Sequence, residues 1–492
     1  MRVAEAVNAD GSLAVVHPNA VYSATNNPNS PIQLARDMII NGFENHAVPA
    51  QAAPQAIRQF IEPRRENNFP SLGNRMLAAA RIFAEIDNFF QAKDLIDKPW
   101  EDSYRSSISK FISARDSLEY LRAVAELYSN IGDSHGFITY GTFSLRLNPI
   151  IQGRGNFVPP VITNVIEDKL VVTGIYSDSV CGKLGIRKGD VILSIDGDDP
   201  MKLIEDARKY QPASTKASQF FFVSKFLLFG NEGQIRKIKV QSSDGKIKSI
   251  DLPVLKEFNG DFFNDDYCLN IYSQHTKPTF KLLSKEIGYA DLTSPMRDTD
   301  VDSMLKLFKN TKAIIFDGRG YPHAYGDFRK IRSNRNVVTL KAVTNVALSP
   351  NIEEIGGPKK NIKDTYTWDQ DNKDWNGNNM NDAGLYLGKI VLLTNESAQS
   401  SGEDLALSSK LVNNATLIGS NTSGTSGAAT SFVIPGNIAL WYSEETIAYP
   451  DGKRTTRLGL QPDIYVRPTI KGIQSGKDEV LERAIKYLQT GK

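Results

Sequence analysis

A chain of 492 residues is too long for one hydrophobic core and calls for about three domains. Its formal net charge of +2 gives no basic field for nucleic acid and none for an anionic surface. Two cysteines, Cys181 and Cys268, cannot build a disulfide framework, no Cys/His cluster has metal-ligand spacing, and no apolar run reaches the roughly 18 residues of a membrane span.

Residues 1–66 are rich in Asn, Ala and Pro and carry no assignable chemistry; Met1 to Ala6 lack the apolar core of a secretion signal, so either the protein stays inside the cell or its leader is missing from this chain. From Arg75 the pattern changes. Leu77, Ile82, Phe83, Ile86, Phe89 and Phe90 recur at helical spacing, and Leu118, Leu121, Val124, Leu127 and Tyr128 repeat it. This predicts a helical bundle within 67–150, closing on Ile131-Gly132-Asp133-Ser134-His135-Gly136. A linker rich in Gly, Asn and Pro leads into a β-rich module over 151–256. There the runs Val161-Ile162, Val165-Ile166 and Leu170-Val171-Val172 precede a short helix, a Gly189-Asp190 turn, an apolar strand and an Asp196-Gly197 hairpin turn.

The last segment, 257–492, alternates strands and helices. Residues 287–292, 313–317 and 390–394 read as strands and 301–309 as a helix, which argues for an α/β layer with largely parallel pairing. The polar stretch 364–382, with Trp368 and Trp375, reads as a loop or a substrate-facing rim. The most informative stretch runs from Lys389 to Asp404: a buried strand, a short polar elbow, then a helix with Leu405, Leu407, Leu411 and Val412. It puts the Ser400 hydroxyl at a strand-to-helix junction with the Ser401 N–H beside it, where the helix start gathers positive partial charge. Acyl transfer uses such a hydroxyl and such a donor together. The same four residues, Ser400-Ser401-Gly402-Glu403, also fit a capping box that merely starts a helix.

Bundle, β-rich module and elbow, in this order, resemble one family: the C-terminal processing peptidases and their tricorn-core relatives. The resemblance covers about 75–490. It rests on Gly132-Asp133-Ser134-His135, the block around Gly189-Asp190 and Ile195-Asp196-Gly197, and Asp317-Gly318-Arg319-Gly320-Tyr321-Pro322. Ser400-Ser401-Gly402-Glu403, the run 419–424 and the run 459–464 complete it. It implies a multi-domain α+β protein with an N-terminal helical bundle, a PDZ module at about 155–256 and an α/β ClpP/crotonase-like catalytic domain. In the processing branch a lysine 25 residues after the serine is the base; here that position is Thr425, and the glutamine four further on is Ala429. Lys410, on the helix of Ser400, reads as a solvated charge. The tricorn branch takes its base from a Ser-His pair after the bundle, which matches Ser134-His135, and imidazole suits a serine hydroxyl near neutral pH. His135 read alone is a turn histidine at a helix end, and His323 is a rival base.

The resemblance also implies an orienting glutamate, but its position holds Thr456, next to Arg457, and the nearest upstream acids are Glu444 and Glu445. Oxyanion donors are expected from Ser401 N–H and the Gly318–Gly320 loop. The first reading is therefore a serine endopeptidase acting on unfolded or C-terminally exposed polypeptides, with Ser400 as nucleophile, His135 as base and Ser134 in support. No cofactor, nucleic acid or membrane span is expected, and the resemblance implies a location outside the cytoplasm. The second reading is a catalytically weak relative that binds peptides as a PDZ-containing scaffold.

Overall fold

The computed structural model describes residues 69–90, 92–140, 148–258, 277–322, 343–345, 388–443, 446–448 and 454–492, with single residues at 267, 271, 275 and 386. Three helices come first: α1 (Leu72–Phe89), α2 (Trp100–Ser113) and α3 (Ser117–Ser129). The side chains of Ser71 and Asp116 start α1 and α3 by accepting the N–H groups of Asn74 and Glu119. Ala78, Ala79, Ile82 and Ile86 form the buried stripe of α1, while Leu77 lies off it and is exposed. The bundle does not close on itself. Its core takes in Phe432, Ile434, Ile438, Leu440 and Tyr442 from the hairpin β13 (Ala429–Ile434) and β14 (Ile438–Ser443). Strand β1 (Ile138–Tyr140) pairs antiparallel with β14, and the Tyr120 and Tyr128 hydroxyls donate to Pro435 O and Trp441 O. The early and late segments thus share one core, which fastens the turn after α3 to the chain at Ser443.

The β-rich module is a five-stranded antiparallel sheet in the order β2 (Val161–Ile166), β3 (Lys169–Ile175), β4 (Val191–Ile195), β5 (Ile235–Gln241), β6 (Ile247–Pro253). The short helix α4 (Asp178–Leu184) and the turn at Asp196-Gly197 fall where the sequence puts them, the turn with positive φ at both residues as a primed hairpin turn requires. Helices α5 (Pro200–Arg208) and α6 (Lys216–Phe226) follow. Helix α6 is buried nearly all round, because it packs on the module and also on the last segment: Ser218 Oγ reaches Glu396 O (3.4 Å) and Ser423 O (3.2 Å).

The last segment builds a six-stranded sheet in the order β16-β12-β11-β9-β8-β7, with ranges Ile464–Tyr465, Thr416–Gly419, Lys389–Thr394, Ala313–Asp317, Ile287–Asp291 and Phe280–Leu282. All its pairings are parallel except that of β7 with β8. Helices α7 (Asp298–Phe308) and α8 (Ser401–Asn413) cover one face and α9 (Glu479–Thr490) the other. Burial on both faces explains why β8 and β9 are buried at every residue and read as continuous rather than alternating apolar runs. Chain leaving the carboxyl ends of β9, β11 and β12 gathers along one edge of the sheet, the usual place for a site in such a layer. A two-stranded pair of β10 (Val343–Asn345) and β15 (Thr446–Ala448) lies apart from this sheet.

Candidate active site

Ser400 ends the elbow after β11 as the residue just before α8, with φ +52° and ψ −122°. A residue bearing a Cβ rarely adopts that conformation, and it is held here by the surroundings. Ser400 N–H donates to Thr425 O at 2.6 Å, and Ser423 N–H donates to Ala398 O at 2.9 Å. The hydroxyl does not cap the helix; its contact is with Gly427 O at 3.5 Å, too long for a normal O–H···O bond. The capping-box reading of Ser400-Ser401-Gly402-Glu403 therefore fails at both ends. Glu403, fully buried, turns away from the cap and its Oε1 accepts from Thr422 Oγ1 (2.5 Å) and from Gly424 N–H. Its Oε2 has no hydrogen-bond partner among the described residues, and burial pushes the carboxyl up to about 7. Glu403 thereby pins the strap 420–427, whose Thr425 receives the Ser400 N–H.

At the start of α8, Gly402 N–H bonds to Gln399 O, and the Glu403 and Asp404 N–H groups bond to Ser400 O. The Ser401 N–H, ahead of them, has no intrahelical acceptor and points out of the helix start. The loop 318–320 lies against the same helix start, since a Cβ on Gly402 would sit 3.2 Å from Gly320 O. Its own amides are engaged: Gly318 N–H continues the ladder to Leu393 O (3.0 Å) and Gly320 N–H closes on Gly318 O (2.9 Å). Arg319 fixes this loop, gripping Asp317 and Asp478 with paired bonds of 2.6–2.9 Å. Of the amides expected to serve an oxyanion, those of Gly318 and Gly320 are thus engaged within the loop.

His135 follows α3 in a buried turn, 3% exposed. Its Nδ1 lies 2.9 Å from Ser443 Oγ, which donates to Asp133 Oδ1 at 3.0 Å. With its proton committed to Asp133, the Ser443 oxygen accepts from Nδ1–H. That leaves Nε2 as the unprotonated ring nitrogen. Asp133 also accepts from the His135 N–H (3.0 Å), the Ser443 N–H (2.6 Å) and Thr425 Oγ1 (3.1 Å). Burial lowers the imidazole below its ordinary value, and the Asp133 charge pulls the other way.

The hydrogen bonds of the described residues include none between Ser134 and the imidazole. The Ser134 N–H is shared between Ser214 Oγ (2.9 Å) and Thr425 Oγ1 (3.1 Å). Thr425 is thus where the two halves of the site meet: its carbonyl holds Ser400 and its hydroxyl holds Asp133. The hydrogen bonds of the described residues include none between Ser400 Oγ and the imidazole, as is common before substrate tightens a site.

Glu444, Glu445 and His323 lie outside the described residues, as do residues 1–66 and the stretch 364–382. Lys410 is paired with Asp463 at 2.7 Å near the surface. Asp133, Ser443, Ser214 and Thr425 are the site residues that sequence reasoning left without a role. Lys225, on α6, is a further buried titratable group: 5% exposed, it lies over the Phe221 ring at 4.5 Å, and burial lowers its amine to about 7.

Residues 347–466 match the model of peptidase family S41, and the protein is a serine-type peptidase. No curated protein sequence matches the chain. Among solved structures it is similar to mature CPAF, at 12% identity and a TM-score of 0.62, over 86% of this chain and 99% of that one. It is likewise similar to mature CPAF complexed with lactacystin, at 13% identity and a TM-score of 0.61 over the same shares. Similarity to the photosystem II D1 C-terminal processing protease is 14% in identity, with a TM-score of 0.42 and coverage of 82% and 96%. The two CPAF likenesses show a shared fold.

Proposed function

We propose that this serine-type peptidase cleaves unfolded or C-terminally exposed polypeptide segments through an acyl-enzyme on Ser400, with His135 as general base. In this mechanism Ser400 Oγ attacks the scissile carbonyl and its proton passes to His135 Nε2. The developing oxyanion meets the Ser401 N–H at the positive end of α8. His135 then returns the proton to the leaving amine, and a water repeats the sequence to release the acid product. Asp133 steadies the imidazolium through Ser443, in the role the resemblance gives to a glutamate near Thr456. Ser134 holds the turn and does not act on the ring. The β-rich module, read as a PDZ domain, would capture chain ends by strand addition and deliver them to Ser400.

The observation that carries the reading is the pairing of a strained serine at a strand–helix elbow with a buried Nδ1–Ser443–Asp133 chain, joined through Thr425. A fluorophosphonate probe tests it, because only an activated serine reacts. The expected result is stoichiometric labelling of the parent and none of Ser400→Ala or His135→Ala. Labelling that persists in Ser400→Ala would sink the assignment, and an unlabelled parent would favour the peptide-binding scaffold.

A further inference from the structure

We propose that Ser214, contributed by the β-rich module, is a positioning residue of the catalytic centre that locks the His135 turn to the Thr425 strap. The inference rests on the reading of Ser400 and His135 given above. Ser214 comes from a chain segment that the sequence assigns to another domain, yet it is 4% exposed and sits between the two halves of the site. Its bonds to Ser134 run both ways. Ser134 N–H donates to Ser214 Oγ at 2.9 Å, and Ser214 N–H donates to Ser134 Oγ at 2.9 Å.

Its hydroxyl also meets Thr425 Oγ1. Because the Thr425 proton goes to Asp133, the Ser214 proton goes to Thr425, giving one directed chain Ser214–Thr425–Asp133. Every lone pair and proton on Thr425 Oγ1 is then used: two bonds accepted, from Ser134 and Ser214, and one donated. Such a chain fixes the charge beneath the imidazole as well as the position of the turn.

Packing points the same way. A Cβ on Gly136, one residue past His135, would collide with Pro212, and a Cβ on Gly424 would lie 3.2 Å from Ser214 Cβ. The segment 212–214 is therefore wedged between the histidine turn and the strap, with bare glycine backbone on either side. One residue later Thr215 caps α6, and Ser218 in its first turn reaches Glu396 O and Ser423 O. A displacement of α6 is thus transmitted to the elbow, the strap and the His135 turn at once. Through Ser214 the module completes the catalytic centre and does not merely deliver substrate to it.

The test uses the full chain and an ester too small to reach the module. Ser214→Ala should lower kcat by about ten- to a hundredfold, the scale of a sub-ångström to 1 Å misplacement, with KM unchanged. Ser134→Ala/Ser214→Ala should be no slower than the slower single variant, because both remove one joint. As a guard against simple misfolding, Ser214→Thr and Ser214→Val share one shape; Thr should keep most of the rate and Val should lose it. A Ser214→Ala rate within about twofold of the parent, losses that multiply in the double variant, or equal rates for Thr and Val would each overturn the proposal. Fluorophosphonate labelling separates the two levels. A parent that does not label overturns the reading of the site and this inference with it. A parent that labels, with Ser214→Ala labelling equally fast, overturns the inference alone.

Discussion

Replacing Ser400 by glycine should stabilise the protein while silencing it. The backbone there, at φ +52° and ψ −122°, lies in a region suited to glycine, and such strain costs of order 1–3 kcal/mol. Against the gain stands the extra freedom of glycine in the unfolded chain, about 0.4–1 kcal/mol. The hydroxyl itself contributes little, since it does not cap α8 and its contact with Gly427 O is 3.5 Å. Ser400→Ala should therefore change stability by no more than about 0.5 kcal/mol, less than the ~1 kcal/mol of a lost N-cap. Ser400→Gly should be more stable than Ser400→Ala by about 1 kcal/mol, and because both lack Oγ, the difference isolates the backbone term. Urea unfolding followed by near-ultraviolet circular dichroism measures it, with ester hydrolysis confirming that both variants are inactive. A glycine variant less stable than the alanine variant would refute the strain argument, and with it the view that the elbow holds Ser400 in place at a cost to the fold.

Two further outcomes follow from buried charges. Because burial lowers the His135 imidazole, kcat/KM for a small ester should rise with an inflection below pH 6.5 and stay level above neutrality; a rate still climbing past pH 8 would mean that another base is in use. Glu403, raised from 4.5 to about 7 by burial, binds its proton more tightly folded than unfolded, so its stabilising contribution is complete below about pH 4.5 and is lost as pH rises through 7. The parent should lose about 3 kcal/mol relative to Glu403→Gln between pH 4.5 and pH 8.5 in urea unfolding, and a difference that does not move with pH would show that this carboxyl titrates normally.

The layer around the site was legible because buried strands announce themselves. Residues 313–317 match β9, and 390–394 match β11 to within one residue, since a parallel strand covered on both faces must be apolar throughout. The Ser-x-x-Glu spacing, by contrast, fits a cap and an elbow equally well. Only the positive φ at Ser400 and the direction of the Glu403 side chain separate them, and both are imposed by the strap from beyond the helix. The bundle read as self-contained because part of its partner surface lies some 300 residues away, in a hairpin whose pairing no local pattern reports.

The same distance hides the connections of the site itself. A search for chemistry favours charged residues and histidine, and it proposes His135 as base with Glu444 or Glu445 as its acid, the two glutamates lying outside the described residues. The hydrogen bonds observed beside the imidazole run through hydroxyls, Ser443 to Asp133 and Ser214 through Thr425 to Asp133, and join residues 80 to 310 positions apart. A serine or threonine in sequence is most often a cap or a solvated surface group. What turns these into a network is burial, because a hydroxyl without a partner there costs roughly 1–3 kcal/mol, so each must find one within reach. Thr425 shows the consequence most directly. As the residue in the lysine's place it reads as a missing catalytic group, yet in the fold it is the point through which Ser400 and the Asp133–His135 turn are held to each other.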